Sequence, residues 1–151
     1  MAGFVGIRQS AGSASLVASL IFLSFFSSAT ASDLSAYRWK QRILLISTRP
    51  EQAGGVAATL KRERPGLLDR DLIVIDLSTH RKRIPNTIRP TAESIDDLRQ
   101  RYSMSGQDNQ FILLGKDGGV KARQSETLDL NRFFTQIDAM PMRQEEMRRN
   151  R

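Results

Sequence analysis

The chain contains no cysteine and only one histidine, His80. Without cysteine no disulfide can form, and no thiolate is present to act as a nucleophile, so thiol-based reactions are excluded. A zinc-type site needs several nitrogen or sulfur ligands, which one histidine does not supply. The sequence therefore predicts neither a metal site nor a cofactor, and no GxSxG elbow accompanies His80 to suggest a serine nucleophile.

Aromatic side chains are also few, at 7% of the residues, whereas basic side chains are in excess. The 23 lysines and arginines outnumber the 16 acidic residues and give a formal net charge of +7. This surplus is dispersed, so it supports weak attraction to anions without identifying one. Nucleic-acid binding by stacking needs aromatic side chains among the basic ones. We therefore expect no specific nucleic-acid partner.

Residues 1–31 differ from the rest because they hold one charged side chain, Arg8. An apolar run from Leu16 to Phe26 and a small-residue stretch that ends at Ala31 follow it. This order is typical of a secretory signal peptide. We expect cleavage after Ala31, an exported protein that is periplasmic or secreted, and no stable membrane insertion after cleavage. An uncleaved anchor is the alternative, but the apolar run is shorter than the roughly 20 residues that span a bilayer.

The remaining residues are enough for one domain that folds without disulfides. Residues 32–140 are predicted to form a single α/β domain with the order β-α-β-α-β-β-α and a mixed central sheet. Strands are predicted at "RILLIS", "LIVIDL", "FILLG" and "VKARQ". Helices are predicted after Thr48, from Thr91, and through "LDLNRFFTQIDAM", whose apolar spacing is that of an amphipathic helix. Residues 141–151 are predicted to be a polar C-terminal tail or a short helix that frays.

Two turns carry clear local signals. Thr48 and Glu51 have the spacing of a capping box, and Pro50 suits a first helical turn, so the first strand is expected to lead directly into a helix. That helix is expected to stop at Pro65-Gly66. The stretch "GKDGG" lacks the GxxxxGK[ST] pattern of a phosphate loop. Its Asp117-Gly118 pair instead predicts a β-hairpin.

Several polar residues are candidates for a functional site. His80 is interpreted as an exposed loop side chain. The loop cluster of Arg81, Lys82 and Arg83 could bind an anion, together with Arg89 and a basic face formed by Arg38, Lys40 and Arg42, although a solvated loop is favoured. Asp69, Asp71 and Asp76 bracket the second strand and are expected to cap and solvate its ends.

Two apolar groups of residues are candidate contact surfaces. Tyr37 and Trp39 are interpreted as anchors that pack the entering chain onto the sheet, with a groove lining as the alternative. Met140, Met142 and Met147 could form an adaptable contact surface. The favoured interpretation is that Met140 packs in the core and that the residues after it form a loose tail.

Three stretches together, "LSAYRWKQRILLI", "FILLGKDGGVK" and "IDAMPMRQEEMRR", resemble the domain of unknown function 4174 family. That family consists of exported bacterial proteins related to a thioredoxin-like domain of secreted animal sushi-repeat proteins. The resemblance covers Leu34 to about Arg149 and implies a thioredoxin-like fold. It implies no established reaction.

Thioredoxins carry a reactive cysteine pair where a strand runs into the first helix, which is here the segment from Ser47 to Gln52. They also keep a cis-proline before the third strand, where this chain has Gln107-Asp108-Asn109-Gln110. Both departures remove the redox machinery, so no thiol-disulfide oxidoreductase or thiol peroxidase activity is expected.

The main functional hypothesis is therefore an exported, non-catalytic binding or interaction module, whose partner is an envelope or extracellular protein or a small anion. No catalytic residue is assigned. The candidate binding residues are Thr48, Arg49, Glu51, Arg81, Lys82 and Arg83. One alternative is a non-thiol enzyme that acts on a small anionic substrate at the strand-to-helix junction. A further alternative is a weak polyanion-binding protein of the cell envelope.

Overall fold

The computed structural model describes residues 34–150, and the predicted signal peptide lies outside the described residues. A short 3₁₀ helix (Leu34–Tyr37) precedes four strands and five helices. Their bounds are β1 Arg42–Ser47, α1 Ala53–Arg62, α2 Arg64–Asp69, β2 Leu72–Asp76, α3 Ala92–Tyr102, β3 Gln110–Leu114, β4 Val120–Ser125, α4 Leu130–Asp138 and α5 Pro141–Arg149. None of the helices between residues 34 and 150 is both long and apolar enough to cross a membrane.

The four strands form one mixed sheet in the order β2-β1-β3-β4. β1 and β2 are parallel, with Leu44 opposite Val74. β3 runs antiparallel to both β1 and β4. The α/β class and the mixed central sheet that the sequence predicted are confirmed.

Alternation along the central strands divides the core between the two faces of the sheet. Leu44 and Ile46 of β1 lie in a cluster with residues of α1 and α4, including Val56 and Phe133. Ile43 and Leu45, together with residues of α3, belong to the other cluster. The apolar run of β1 is fully buried because helices cover both of its faces.

Three of the local predictions are confirmed. Thr91 is the N-cap of α3, where its Oγ1 accepts a hydrogen bond from the backbone N–H of Ser94. Gly118 has a φ of 81°, which suits glycine, and the segment before it closes a turn between β3 and β4. The amphipathic helix around Phe133 and Phe134 is α4.

The prediction that Pro65-Gly66 stops the first helix is wrong. α1 ends at Arg62, and the chain re-enters a short helix, α2, that contains both residues. Pro65 stands at the start of α2, where the missing N–H costs no helical hydrogen bond. Gly66 is required by packing, because a Cβ there would come within 2.8 Å of the Phe134 ring.

Of the polar tail or short helix predicted for the C-terminal segment, the structure has the helix, α5, and it is docked on the domain. Glu146 of α5 accepts two hydrogen bonds from Arg42 of β1, which is only 1% exposed, and is paired with Lys116 at 2.8 Å. Arg143 is also buried and is bonded to Asp69 and to Asp138. Ion pairs of Glu146 and of Arg143, two residues that also lie 3.8 Å from each other, therefore fix α5 against the domain.

Candidate functional site

The junction between β1 and α1 is a turn followed by a helix, not a direct strand-to-helix step. The backbone N–H groups of Gln52 and Ala53 both donate to the carbonyl oxygen of Arg49, at 3.1 and 3.2 Å. α1 begins at Ala53, and its N-cap, Gln52, makes no side-chain capping bond. The predicted capping box of Thr48 and Glu51 is therefore wrong.

Thr48 does not cap the helix because its hydroxyl is used inside the protein. The residue is completely buried. Its Oγ1 lies 3.1 Å from Oγ of Ser78 and 3.0 Å from Nε2 of His80, and its backbone N–H donates to Oγ of Ser78. Thr48 thus links the end of β1 to the segment that follows β2.

His80 is half-buried and bonded to Thr48, so its interpretation as an exposed loop residue is wrong. Its Nδ1 is buried and has no hydrogen-bond partner in the described structure. The loop after β2 folds back toward the junction. Sequence alone gave no signal for this contact, because Thr48 and His80 are 32 positions apart.

Asp76 supports this loop from within the protein. It is completely buried, and its Oδ1 accepts the backbone N–H of Ser78 at 2.9 Å. Its Oδ2 is paired with Arg89 at 3.0 Å, and Arg89 also donates to the carbonyl oxygens of Ser78 and His80. The expectation that Asp76 is a solvated strand end is wrong, and Arg89 is committed to this buried pair rather than to an anion patch.

Asn109 is a junction residue that the sequence did not reveal. It is 2% exposed, and its Oδ1 accepts the backbone N–H of Arg49 at 2.9 Å. Its Nδ2 donates to the carbonyl oxygen of Glu126. Asn109 lies in the segment where thioredoxins keep a cis-proline, but the described chain has no cis peptide bond.

The side chain of Arg49 is neutralised by an ion pair. Its Nη2 lies 2.6 Å from Oε2 of Glu126, a pair that is exposed on both sides. Glu126 has a φ of 63° and directly follows β4, so it too was missed. Glu51, two positions after Arg49 in the sequence, is exposed. Any anion at the junction would have to compete with Glu126 for Arg49.

The basic loop is exposed at Arg81, Lys82 and Arg83, as predicted. Lys82 is the one that comes near the junction: its Nζ lies 3.8 Å from the position that a Cβ would take on Gly54, in the first turn of α1. The structure gives no bond from Arg81 or Arg83 to Thr48, Arg49 or Glu51. The predicted basic face is also smaller than expected, because Arg42 is buried.

The predicted binding residues do not line the cavity at the ends of β3 and β4. That cavity has a volume of about 430 Å³ and lies over the ends of β3 and β4, where Gln110, Arg123 and Arg132 form part of its wall. Within residues 34–150, no group of three or more histidine and acidic side chains is arranged to hold a metal ion. The junction is thus a buried polar cluster with a charged rim.

The mixed sheet, the helices on both of its faces and the strand-to-helix junction define a thioredoxin-like domain. Solved structures agree on the fold. A Plasmodium vivax 2-Cys peroxiredoxin matches with a TM-score of 0.55 and 12% identity, over 74% of this chain and 84% of that one. A Plasmodium yoelii thioredoxin peroxidase I matches with a TM-score of 0.55 and 16% identity, over 74% and 79%. A putative electron transfer protein from Aquifex aeolicus gives 0.51 and 11%, over 70% and 83%.

The chain belongs to the family described as Domain of unknown function (DUF4174), whose model matches residues 33–146. A comparison with curated proteins finds no significant match. The family expected from the three sequence stretches is therefore confirmed, and so is the thioredoxin-like fold that it implied. At 12% and 16% identity, these solved structures show the fold alone.

Proposed function

We propose that this chain is an exported thioredoxin-like domain that acts by binding a partner and not by thiol chemistry. One observation carries the proposal: Thr48, in the segment where thioredoxins hold their reactive cysteines, is completely buried and hydrogen-bonded to Ser78 and His80. The junction offers a closed polar cluster instead of an accessible nucleophile.

The proposal is tested on the mature chain, residues 32–151, with two measurements. The first is insulin reduction and peroxide removal with dithiothreitol as the reductant, in a preparation free of thioredoxin. We expect rates equal to those without protein, because thiol exchange needs a thiolate. The second is capture from the native envelope fraction with the tagged mature chain, which should retain a saturable partner. Catalytic turnover, or the absence of any saturable partner, would contradict the proposal.

A second candidate function has a specific observation in its favour, namely the position of Lys82 over the first turn of α1. The first N–H groups of a helix attract anions, and an ammonium beside them adds to that attraction. A small anionic ligand or substrate at the junction is therefore the alternative. Thermal shift with inorganic phosphate, pyrophosphate and citrate tests it. If Lys82→Met removes the stabilisation by the anion and Arg81→Met does not, the anion binds at the junction. If both variants lose the stabilisation equally, the effect is nonspecific attraction to the basic surface.

A further inference from the structure

Arg42 and Lys116 form a basic pocket, and a carboxylate of the chain itself lies in it. Both side chains are buried. Nη1 and Nη2 of Arg42 lie 3.1 and 3.2 Å from the two carboxylate oxygens of Glu146, and Nζ of Lys116 lies 2.8 Å from Oε1. Two parallel bonds from a guanidinium, with an ammonium beside them, are the arrangement by which proteins recognise a carboxylate. Glu146 therefore has the position that a carboxylate ligand would take.

The charge balance of the pocket depends on this carboxylate. Lys116 is also paired with Asp71 at 2.8 Å, so Asp71 neutralises one of the two cations independently of α5. Glu146 neutralises the other. Arg42 is only 1% exposed, and its Nε has no hydrogen-bond partner in the described structure. Because a buried charge without a partner is costly, the pocket favours an anion whenever Glu146 is absent from it.

The two cations are held by parts of the fold other than α5. Nη1 of Arg42 donates to the carbonyl oxygen of Arg70 at 2.9 Å. The carbonyl oxygen of Lys116 accepts the backbone N–H of Trp39 at 2.6 Å. Tyr37 packs against the core as predicted, but Trp39 is 63% exposed, so its interpretation as a packing anchor is wrong. Movement of α5 would therefore leave the two cations in place.

α5 is attached by polar contacts rather than by an apolar face. Its buried residue is Arg143, and within residues 34–150 neither core cluster includes a side chain of α5. Cavities of about 250 and 480 Å³ border the start of the helix, and Lys116, Pro141 and Met142 line both of them. A helix of nine residues is not stable in isolation. The ion pairs therefore keep α5 both folded and docked.

The acidic partners in these ion pairs are accessible to water. Glu146 and Asp138 are half-buried, and Asp69, which pairs with Arg143, is exposed. Ion pairs with an exposed member contribute little and are screened by salt. The central strands, in contrast, are buried between helices. α5 should therefore open at a lower free energy than the one that unfolds the domain.

We infer that Arg42 and Lys116 form a carboxylate-binding site that Glu146 occupies in cis, and that α5 is a lid that opens from this site while the sheet stays folded. The ligand is a small carboxylate, because the adjoining cavity of about 250 Å³ is small and includes the apolar Met140 and Pro141 in its lining. A short aliphatic chain next to the carboxylate suits that lining. This site is separate from the proposed partner binding and does not depend on it.

Hydrogen exchange of the mature chain, residues 32–151, tests the lid. We expect protection factors in α5 that are at least about tenfold lower than those of β1 and β3, and similar from Gln144 to Met147, because the helix opens as a unit. Glu146→Gln should lower the protection of α5 by a further factor of about ten, and Glu145→Gln by less than about twofold. Protection as high as that of β1 and β3, or a steady decrease toward Arg149 that indicates fraying, would contradict the lid.

Rescue by acetate tests the site. Glu146→Ala removes the carboxylate and leaves room for acetate beside Arg42 and Lys116. Excess sodium acetate should raise the melting temperature of this variant by about 4 °C relative to sodium chloride at the same ionic strength, and should not raise that of the unmodified protein. Glu145→Ala is the matched control and should show no gain, because Glu145 pairs with exposed arginines of α5. Addition of Lys116→Met to Glu146→Ala should abolish the gain.

The result that overturns the site is an equal melting temperature of Glu146→Ala in acetate and in chloride. If Glu146→Ala does not fold in chloride, its refolding yield in the two salts replaces the melting temperature, and equal yields overturn the site in the same way. An equal gain in Glu145→Ala would show a general effect of acetate and would also overturn it. None of these measurements involves the captured partner, so their failure would leave the proposed function intact.

Discussion

The hydroxyl of Thr48 has two side-chain partners, Ser78 and His80, and no contact with solvent. Replacement with valine keeps the shape but leaves both partners short of a hydrogen bond. Thr48→Val is expected to lower the free energy of unfolding by about 1–3 kcal/mol, the cost of unsatisfied buried polar groups. Urea denaturation measures the change.

Thr135→Val is the control for this substitution. Thr135 is exposed on α4, and its hydroxyl bonds only to the carbonyl oxygen of Asn131 in the same helix, among the contacts that the described residues provide. A change within about 0.5 kcal/mol is expected there. Equal effects of the two valines would contradict the buried network at Thr48.

Backbone conformation, not space, sets the requirement for glycine at position 118. A Cβ on Gly118 would meet nothing closer than Nε of Arg38 at 3.8 Å, but its φ is 81°. Gly118→Ala is therefore expected to cost about 1–2 kcal/mol through strain. Gly119→Ala is the matched control, because Gly119 has ordinary van der Waals contacts and no positive φ. Thermal melting of both variants checks this, and a larger loss at position 119 would contradict it.

At the scale of elements, the carboxylate of Glu146 connects α5 to the buried Arg42 of β1 and to Lys116. Glu146→Gln would leave the guanidinium of Arg42, which is 1% exposed, without its charged partner. We expect a loss of about 2 kcal/mol, below the 3–5 kcal/mol typical of a fully buried pair, since Glu146 is 23% exposed. Chemical denaturation measures it. Glu145→Gln should cost under about 0.5 kcal/mol because the partners of Glu145 are exposed. Similar losses of stability in both variants would mean that the ion pairs of Glu146 do not hold α5 in place.

The same helix should make stability depend on acid pH. Burial by itself raises the pKa of Glu146, but hydrogen bonds from Arg42 and Lys116 outweigh burial and bring that pKa below its ordinary value of 4.5. Burial likewise opposes the bonds from Arg70 and Arg143 that lower the pKa of Asp138 below 3.8. Because the unfolded chain takes up these protons at higher pH than the folded one, the contribution is complete well above pH 4.5 and is lost as pH falls through the folded pKa values.

Urea midpoints measured from neutral pH down into this acid range check that dependence. Stability of the unmodified protein should fall as the pH drops below about 4.5, and Glu146→Gln should fall less steeply, since one of the two groups no longer titrates. Parallel pH profiles for the two proteins would contradict a role for Glu146 in the acid response.

At the scale of the whole molecule, we expect export with cleavage after Ala31. The charged start, the apolar run and the small residues occur in the order that signal peptidases require. Intact-mass measurement of the exported protein should give a chain that begins at Ser32. A membrane-bound form that retains residues 1–31 would show that the segment is an anchor.

The polyanion alternative is also decided by the whole molecule, through its net charge of +7. Retention on heparin that disappears near physiological salt would indicate nonspecific charge, because phosphate and sulfate contacts weaken steeply with salt. Retention that persists at higher salt, and that needs Arg81, Lys82 and Arg83 together, would favour a true polyanion site in the exposed loop.

The sequence by itself determined the elements whose signals are local. Buried runs identified β1 and β2, a capping residue identified the start of α3, an Asp-Gly pair identified the hairpin, and helical apolar spacing identified α4. The absence of cysteine likewise excluded thiol chemistry without any structure. These features depend on neighbouring residues or on composition, so they can be predicted without knowledge of the fold.

Only the tertiary structure decided what the polar residues do. The sequence predicts Thr48 as a helix cap, but Thr48 bonds to His80, 32 positions away, and Asn109 bonds to Arg49 across 60 positions. The polar "MRQEEMRR" segment indicated a tail or a short helix that frays, yet Arg42, more than a hundred positions earlier, is buried against Glu146 of this helix. Hydrogen bonds and ion pairs of this kind form between groups that folding brings together, and a buried charge is tolerated only once its partner is in place. The local sequence pattern shows neither which residue a polar side chain will bond to nor whether that side chain will be buried.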